Sequence, residues 1–353
     1  MKSILFTSKN HAELVDEPKP EPKAGEVVVK LFRSCISSGT ERANISGVPD
    51  GATGIFADEN DKRVTWPRRG GYSSSGVVES VGEGVSGVKP GDRVAMSWSW
   101  HKQYVSLPEN QVYRIPDNVS FQDAAFTHIS TFPSAAIRKC HLEFGESAIV
   151  MGQGVLGQLA VKLLRAAGAA PIIAVDPVLA KRREALALGA DFAFDPLASD
   201  FAAQVMAATA TDRRTHMGRK SASGANVAIE VTGGGSALNG VLDVVAPFAR
   251  VALLGCTRDS NFTINYYHKV HAQGVSLIGA HTMARPDAES SNGWWTTRDD
   301  AMAFLKMLSL GRISLNGFVK EVHSPVECEE VYARLCADGS FPVVQFDWTC
   351  IEA

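Results

Sequence analysis

Along the first 120 residues the apolar positions come in short runs: VVVKLF at 27–32, GVVESV at 76–81, DRVAM at 92–96 and QYVSL at 103–107. Between them stand DEPKPEPKAGE, GVPDGATGIFADENDKR and GEGVSGVKPGD, dense in the Gly, Pro and Asp that turns require. Short strands broken by turns predict a compact β-barrel-like domain. From residue 145 the pattern changes. SAIVM is followed by VLGQLAVKLLRAAG, in which Val155, Leu159, Leu163 and Ala166 recur at helical spacing and Gly168 marks the stop. PIIAV, LAKRREALALG, DFAFD, FAAQVMAAT, NVAIEV, SALNGVLDVV, ARVALLG and GVSLIG carry the alternation of strand and helix onward. Such units close as a parallel sheet with helices on both faces, so the fold class expected here is a doubly wound α/β domain. TATDRRTHMGRKSASG at 209–224 reads as a solvated loop, with a phosphate-binding patch as the alternative. After residue 285 the alternation stops. SNGWWTTRDDAMAFLKMLSLG reads as a loop entering an amphipathic helix, and the tail is expected to rejoin the first domain.

A chain of 353 residues, 45% hydrophobic and 21% charged, buries enough for two domains. Its formal charge of −3 supplies no electrostatic attraction for nucleic acid or an anionic membrane, and a small molecule is the expected partner. No stretch reaches the roughly 18 consecutive apolar residues of a membrane helix, and MKSILFTSKN lacks the run of a signal peptide. A cytoplasmic location is the expectation. Six scattered cysteines without a CxxC pair suit reduced thiols; Cys35 and Cys256 are read as buried packing residues, not nucleophiles.

The strongest chemical signal is SAIVMGQGVLGQ, a GxGxxG arrangement of Gly152, Gly154 and Gly157 between a strand and a helix. The first glycine permits the tight turn, the second lets backbone approach a pyrophosphate, and the third lets the helix pack on the strand. The helix start at Val155 and Leu156 then faces the phosphates. PIIAV ends at Asp176, where a carboxylate accepts from ribose hydroxyls and repels a 2′-phosphate. NAD is therefore favoured over NADP, although Lys181 and Arg182 keep NADP open.

With GEVVVKL, SSGTE at 37–41, GVVESVGEGVSGVKPGDRV at 76–94, YVSLPENQVYRIPD at 104–117 and the glycine fingerprint, the chain resembles the medium-chain dehydrogenase/reductase superfamily. These are alcohol dehydrogenase-like proteins in which a GroES-like catalytic domain accompanies a Rossmann domain. The resemblance implies a GroES-like domain over residues 1–125, a Rossmann domain over 126–284 and a segment 285–353 that completes the catalytic domain. It also implies a homodimer or homotetramer. Zinc members carry a cysteine before Gly-Thr/Ser-Asp, and this chain has Ser38 before Gly39, Thr40 and Glu41. They carry GHExxGxV, and here Tyr72 takes the histidine's place, with His128 near the third ligand position. Serine and tyrosine are poor zinc ligands, and AMSWSWHKQ lacks the cysteines of a structural site. No zinc is expected at either place.

Without a metal, hydrogen-bond donors must steady the reacting oxygen. Tyr72, Ser38 and Thr40 are the candidates to polarise it and His128 the candidate acid/base. Glu41, Trp98, Trp100, His101, His281, Arg285, Trp294 and Trp295, with Glu289 beside them, are expected to shape a substrate pocket, the tryptophans by stacking on flat or sugar-like faces. The resemblance places Thr232, Gly233, Gly255, Cys256 and Ala280 near a nicotinamide. Three readings follow. The first is zinc-independent hydride transfer between NAD(H) and a sugar, polyol or cyclic alcohol and its ketone; the others are an NADPH-dependent quinone or enoyl reductase and a catalytically silent nucleotide-binding sensor.

Overall fold

The valine-rich run near residue 27 forms a ten-residue strand around which a sheet is built. A computed structural model describes residues 1–49, 61–210, 223–257 and 261–352. Most of the 209–224 loop, and with it the suggested phosphate patch, lies outside the described residues. In chain order the elements begin with β1 (Lys2–Ser8), β2 (His11–Asp16), β3 (Glu26–Cys35), α1 (Ser38–Ile45), β4 (Ser73–Val81), β5 (Arg93–Ser97), β6 (Tyr104–Pro108), β7 (Val112–Arg114), α2 (Phe121–Ala124) and α3 (Thr127–Lys139). The alternating part follows as β8 (Ala148–Met151), α4 (Val155–Ala167), β9 (Ile172–Val175), α5 (Leu179–Ala187), β10 (Phe192–Phe194), α6 (Phe201–Ala208), β11 (Ala225–Glu230), α7 (Gly235–Leu242), β12 (Val245–Leu253) and β13 (Ser276–Gly279). The chain closes with α8 (Thr297–Ser309), β14 (Glu321–His323), α9 (Cys328–Ala337) and β15 (Val344–Asp347). None of the described helices is long and apolar enough to cross a membrane.

Contacts divide the chain into residues 1–131 with 297–353, and residues 132–296. Both divisions fall later than 125/126 and 284/285. The start of α3 belongs with the first unit because Ser73 Oγ donates to Ala125 O and accepts from Ile129 N. The SNGWW loop belongs with the second because Arg138 and Lys139 lie over the rings of Trp295 and Trp294.

In the first unit one sheet runs β14-β15-β3-β4-β5-β7, with β6 also paired to β3; β1 and β2 form a separate hairpin. Period-two alternation sorts the side chains. Val94 and Met96 of β5 enter a core with Val27, Val29, Leu31, Phe6 and Trp348, while Ala95 between them packs with Tyr113 and Leu305 in a second cluster.

In the second unit six strands run β10-β9-β8-β11-β12-β13, all parallel. Numbered within the unit this is 3-2-1-4-5-6, the Rossmann order, with its switch point between β8 and β11. β8 and β9 are buried at every residue, as strands covered on both faces must be. Ligands of such sheets bind beyond the carboxyl ends of the strands at the switch point.

Candidate active site

In the second unit the loops after β8, β11 and β12 converge. Gly152 has φ +98, a turn open to glycine at little cost, and a Cβ on Gly157 would lie 1.9 Å from Gly152 O. Helix α4 therefore seats directly on the loop. Gly154, its N-cap, has no side-chain cap, and a Cβ there would meet nothing within 4 Å. The helix thus presents uncapped backbone amides toward a space left open, which is the arrangement a pyrophosphate needs. Val155 and Gly157 are buried in the first turn and Leu156 is half-buried.

Asp176 is buried at the end of β9. Its Oδ2 accepts from Gln153 N at 2.8 Å and its Oδ1 from Val178 N at 2.8 Å, so the carboxylate ties the glycine loop to the second strand. Arg182 donates to Asp176 O, Pro177 O and Asp195 Oδ2, which commits its guanidinium to the turn and the next strand. Lys181 is half-buried one residue before it on α5.

Beyond β11, the buried Glu230 accepts from Thr232 N at 2.7 Å, from the Thr232 hydroxyl, and from Gly233 N at 3.0 Å. Burial pushes its carboxyl above the usual range against the pull of these donors. Gly255 and Gly233 are in backbone contact, since a Cβ on Gly255 would lie 2.2 Å from Gly233 N. Ala280 is buried with its amide on Leu253 O. Cys256 is exposed, not buried as expected, because it stands on the loop past the end of β12. Cys35 is buried as expected, and desolvation pushes its thiol up.

In the first unit a polar and aromatic cluster gathers at the ends of β4 and β5. Tyr72 is buried and donates to Ser37 Oγ at 2.5 Å. Its ring lies 5.6 Å from that of His128 and 5.9 Å from that of Trp98, and Trp98 meets His128 edge-on at 4.8 Å. His128 Nδ1 is 2.8 Å from Ser97 Oγ, which is 2.9 Å from Tyr113 OH. Trp98 and Trp100 carry φ +61 and +57, positions that cost a bulky residue about 1–3 kcal/mol each.

The hydroxyl beside Tyr72 is thus Ser37, where Ser38 and Thr40 were expected; these occupy the first turn of α1, half-buried. Two neighbouring serines carry the same chemistry in sequence, and the turn into α1 decides which one faces the phenol. Ser97 and Tyr113 were also missed; they sit on β5 and β7, strands buried on both faces, where no alternation of apolar and polar positions marks them.

Glu41 and His101 are turned into the protein's own frame and not toward the pocket expected of them, because both carboxylate oxygens and both ring nitrogens are taken up by protein partners. Glu41 Oε1 accepts from Ser37 N at 2.8 Å, and its Oε2 accepts from Tyr332 OH at 2.5 Å and lies 3.1 Å from His101 Nε2. His101 Nδ1 is 2.7 Å from Ser34 Oγ, which accepts from Trp348 Nε1 at 2.8 Å. The carboxylate holds Ser37 by its backbone, so Glu41 reaches the cluster only through another residue.

Trp294 and Trp295 also differ from expectation. Lys139 Nζ lies 4.5 Å from the Trp294 ring centre and Arg138 3.5 Å from that of Trp295, so each indole packs a cation of α3. Lys139 donates as well to Gly279 O and Ala284 O. His281 Nδ1 accepts from Met283 N, Arg285 donates to Thr282 O, and Glu289 is exposed. These groups shape their own loop.

Comparison with known proteins agrees with this architecture. Residues 23–117 match the family described as alcohol dehydrogenase GroES-like domain, and residues 155–294 match zinc-binding dehydrogenase. The chain is 30% identical over 251 residues to a (R,R)-butanediol dehydrogenase of Bacillus subtilis, covering 63% of this chain and 67% of that one. It is 22% identical over 352 residues to a D-guloside 3-dehydrogenase of Escherichia coli, covering 95% of each. Among solved structures, galactitol-1-phosphate dehydrogenase of Escherichia coli superposes with a TM-score of 0.80 at 18% identity, over 98% of this chain and all of that one.

Proposed function

The chain belongs to the medium-chain dehydrogenase/reductase superfamily, and on that premise we propose a zinc-independent oxidoreductase that moves hydride between NAD(H) and a small hydroxylated compound. Relatives that act on a butanediol and a guloside support the substrate class. The observation that carries the reading is the Tyr72–Ser37 pair beside His128: a phenol where the resemblance places a metal-binding histidine, bonded to the hydroxyl one residue before the cysteine's place, with a single imidazole beside them. Zinc takes thiolate, imidazole or carboxylate in sets of three or four. The groups gathered here are a phenol, alcohols and one imidazole whose Nδ1 already faces Ser97, and this donor set does not fit the ion.

The dinucleotide does fit its cradle: Gly154 leaves the helix amides accessible, and Asp176 braces the loop. The commitment of Arg182 to Asp176 O, Pro177 O and Asp195 favours NAD, since that guanidinium is turned to its own backbone and not to a 2′-phosphate. Thr232, Gly233, Gly255, Cys256 and Ala280 complete the proposed nicotinamide side. When bound, the nicotinamide supplies the acceptor or donor of hydride.

The protein's own work is with the proton. As an alcohol is oxidised its O–H bond must break, and reduction reverses the step. Tyr72 gives its hydrogen to Ser37, so the Ser37 O–H is oriented to donate to a substrate oxygen while the Tyr72 oxygen can accept. His128 takes or returns the proton at Nε2. With Nδ1–H donating to Ser97 Oγ, itself hydrogen-bonded to Tyr113 OH, Nε2 is the base that takes the alcohol proton to give an imidazolium. In reduction the same imidazolium returns that proton to the developing alkoxide, so one ring serves both directions.

The test is to follow NADH absorbance with purified protein over sugars, polyols, diols and ketones, with metal analysis of the same sample. Chelator-resistant turnover with NAD and no stoichiometric metal is expected. Activity that tracks a bound metal would overturn the zinc-free part, and reduction of quinones or enones alone would move the chemistry to double bonds.

A further inference from the structure

We propose that the substrate enters as a saturated six-membered polyol ring, a pyranoside or cyclitol, and stacks its C–H face on Trp98; this rests on the dehydrogenase reading above. Trp98 and Trp100 are 37% and 38% exposed, whereas Trp348 in the same unit is fully buried. Both stand in left-handed backbone at φ +61 and +57, where glycine is the usual occupant. The strain is held by the frame: Ser99 and His101 between and after them are fully buried, Trp98 N donates to Tyr72 O at 2.8 Å, and His101 N donates to Gly70 O at 3.1 Å. Two strained, exposed indoles maintained against the preference of the backbone point to a ligand contact.

The neighbours of Trp98 define that ligand. Its ring lies 4.8 Å from His128 and 5.9 Å from Tyr72, so a molecule lying on the indole is beside the proton-handling groups. The negative face of the indole suits the apolar, slightly positive C–H face of a saturated ring. Tyr72, Ser37 and His128 beside it carry donors and acceptors, which suits a ring bearing many hydroxyls better than a flat aromatic one. An acyclic polyol presents no rigid C–H face and loses more conformational freedom on binding.

Binding is read from tryptophan fluorescence of the full chain without cofactor, titrating methyl β-D-glucopyranoside, methyl α-D-galactopyranoside, myo-inositol, sorbitol and 2,3-butanediol. Turnover is read with NAD and the same compounds. At least one ring should quench saturably and exceed sorbitol in kcat/KM by roughly tenfold. Trp98→Ala should collapse that ring-to-sorbitol ratio and abolish the quench, and Trp98→Phe, which keeps a stacking surface, should restore part of the ratio. Trp100→Gly should not lower the thermal midpoint, because it relieves a left-handed tryptophan.

The failures separate. Turnover of the acyclic alcohols at least as good as that of every ring, or absence of saturable quenching by all three rings, overturns ring stacking and leaves the dehydrogenase standing. An unchanged ratio in Trp98→Ala overturns it as well. Ring quenching that disappears in Trp98→Ala, with no NADH formed from any compound, supports ring recognition and overturns the dehydrogenase.

Discussion

The phenol of Tyr72 donates to Ser37 Oγ across 2.5 Å, and both residues are buried. Ser37 is itself held from behind, its amide donating to Glu41 Oε1. A hydroxyl pair with one end anchored to a buried carboxylate is preorganised, and preorganised donors are what an oxygen gaining charge requires.

Removing either hydroxyl should therefore damage the same function. Tyr72→Phe and Ser37→Ala are each expected to lower turnover about tenfold or more, equivalent to ~1.4 kcal/mol of transition-state stabilisation, with affinity for NADH retained. The double variant should lose less than the sum, because the pair acts as one unit. Full additivity in steady-state kinetics would mean that the two act apart.

The Ser97 contact should govern the imidazole. Ser97→Ala removes the group facing His128 Nδ1 and is expected to reduce turnover and shift the pH profile of kcat/KM, whereas His128→Ala should abolish the limb of the profile that the imidazole sets. Ser97→Thr, which restores a hydroxyl, should recover part of the loss. A profile identical to wild type in both alanine variants would remove His128 from the chemistry.

The glycines of the cradle should separate fold from binding. Gly157→Ala drives a methyl into Gly152 O and is expected to cost about 1–3 kcal/mol of stability. Gly154→Ala meets no protein atom, so the thermal midpoint should stay while NADH binding weakens roughly tenfold, because the methyl occupies the space above the helix amides. Calorimetry and a binding titration on the two variants check this; equal effects on both quantities would contradict the cradle.

Acid stability should report Glu17. Its hydrogen bonds with Arg69 hold its carboxyl down to about 2, against desolvation and with help from Ser3 and Lys102. A depressed carboxyl contributes stability above its unfolded value, and the contribution is lost as pH falls from near 4.5 toward 2. Thermal midpoints measured across that window should fall more steeply in wild type than in Glu17→Gln. Parallel curves would show that the pair contributes nothing.

The dinucleotide cradle was legible because it is local. The turn at Gly152, the start of α4 at Val155 and the acid at Asp176 are set within a single strand-turn-helix unit and the strand that follows, so spacing along the chain carries the geometry. Hydrophobic period likewise determined the succession of strands and helices, since burial of one face or both writes itself directly into the alternation. The hydroxyl cluster was legible only in part. Tyr72 and His128 come together with Trp98 as expected, yet the choice of Ser37 over Ser38 depends on how the turn into α1 is held by Glu41.

Amino-acid order by itself determined the parallel α/β architecture, the glycine cradle and the presence of hydroxyls at Ser38 and Tyr72, because each is a matter of period or of residue type at a position. Only the tertiary structure decided that Glu41 and His101 are sealed in a network reaching Tyr332 and Trp348, that Trp294 and Trp295 lie against cations of α3, and that Trp98 meets His128 and Tyr72. Those outcomes are pairings across up to some three hundred residues. Whether a polar or aromatic side chain meets solvent or a partner is settled by the packing of distant segments, and nothing in its immediate neighbours along the chain encodes that choice.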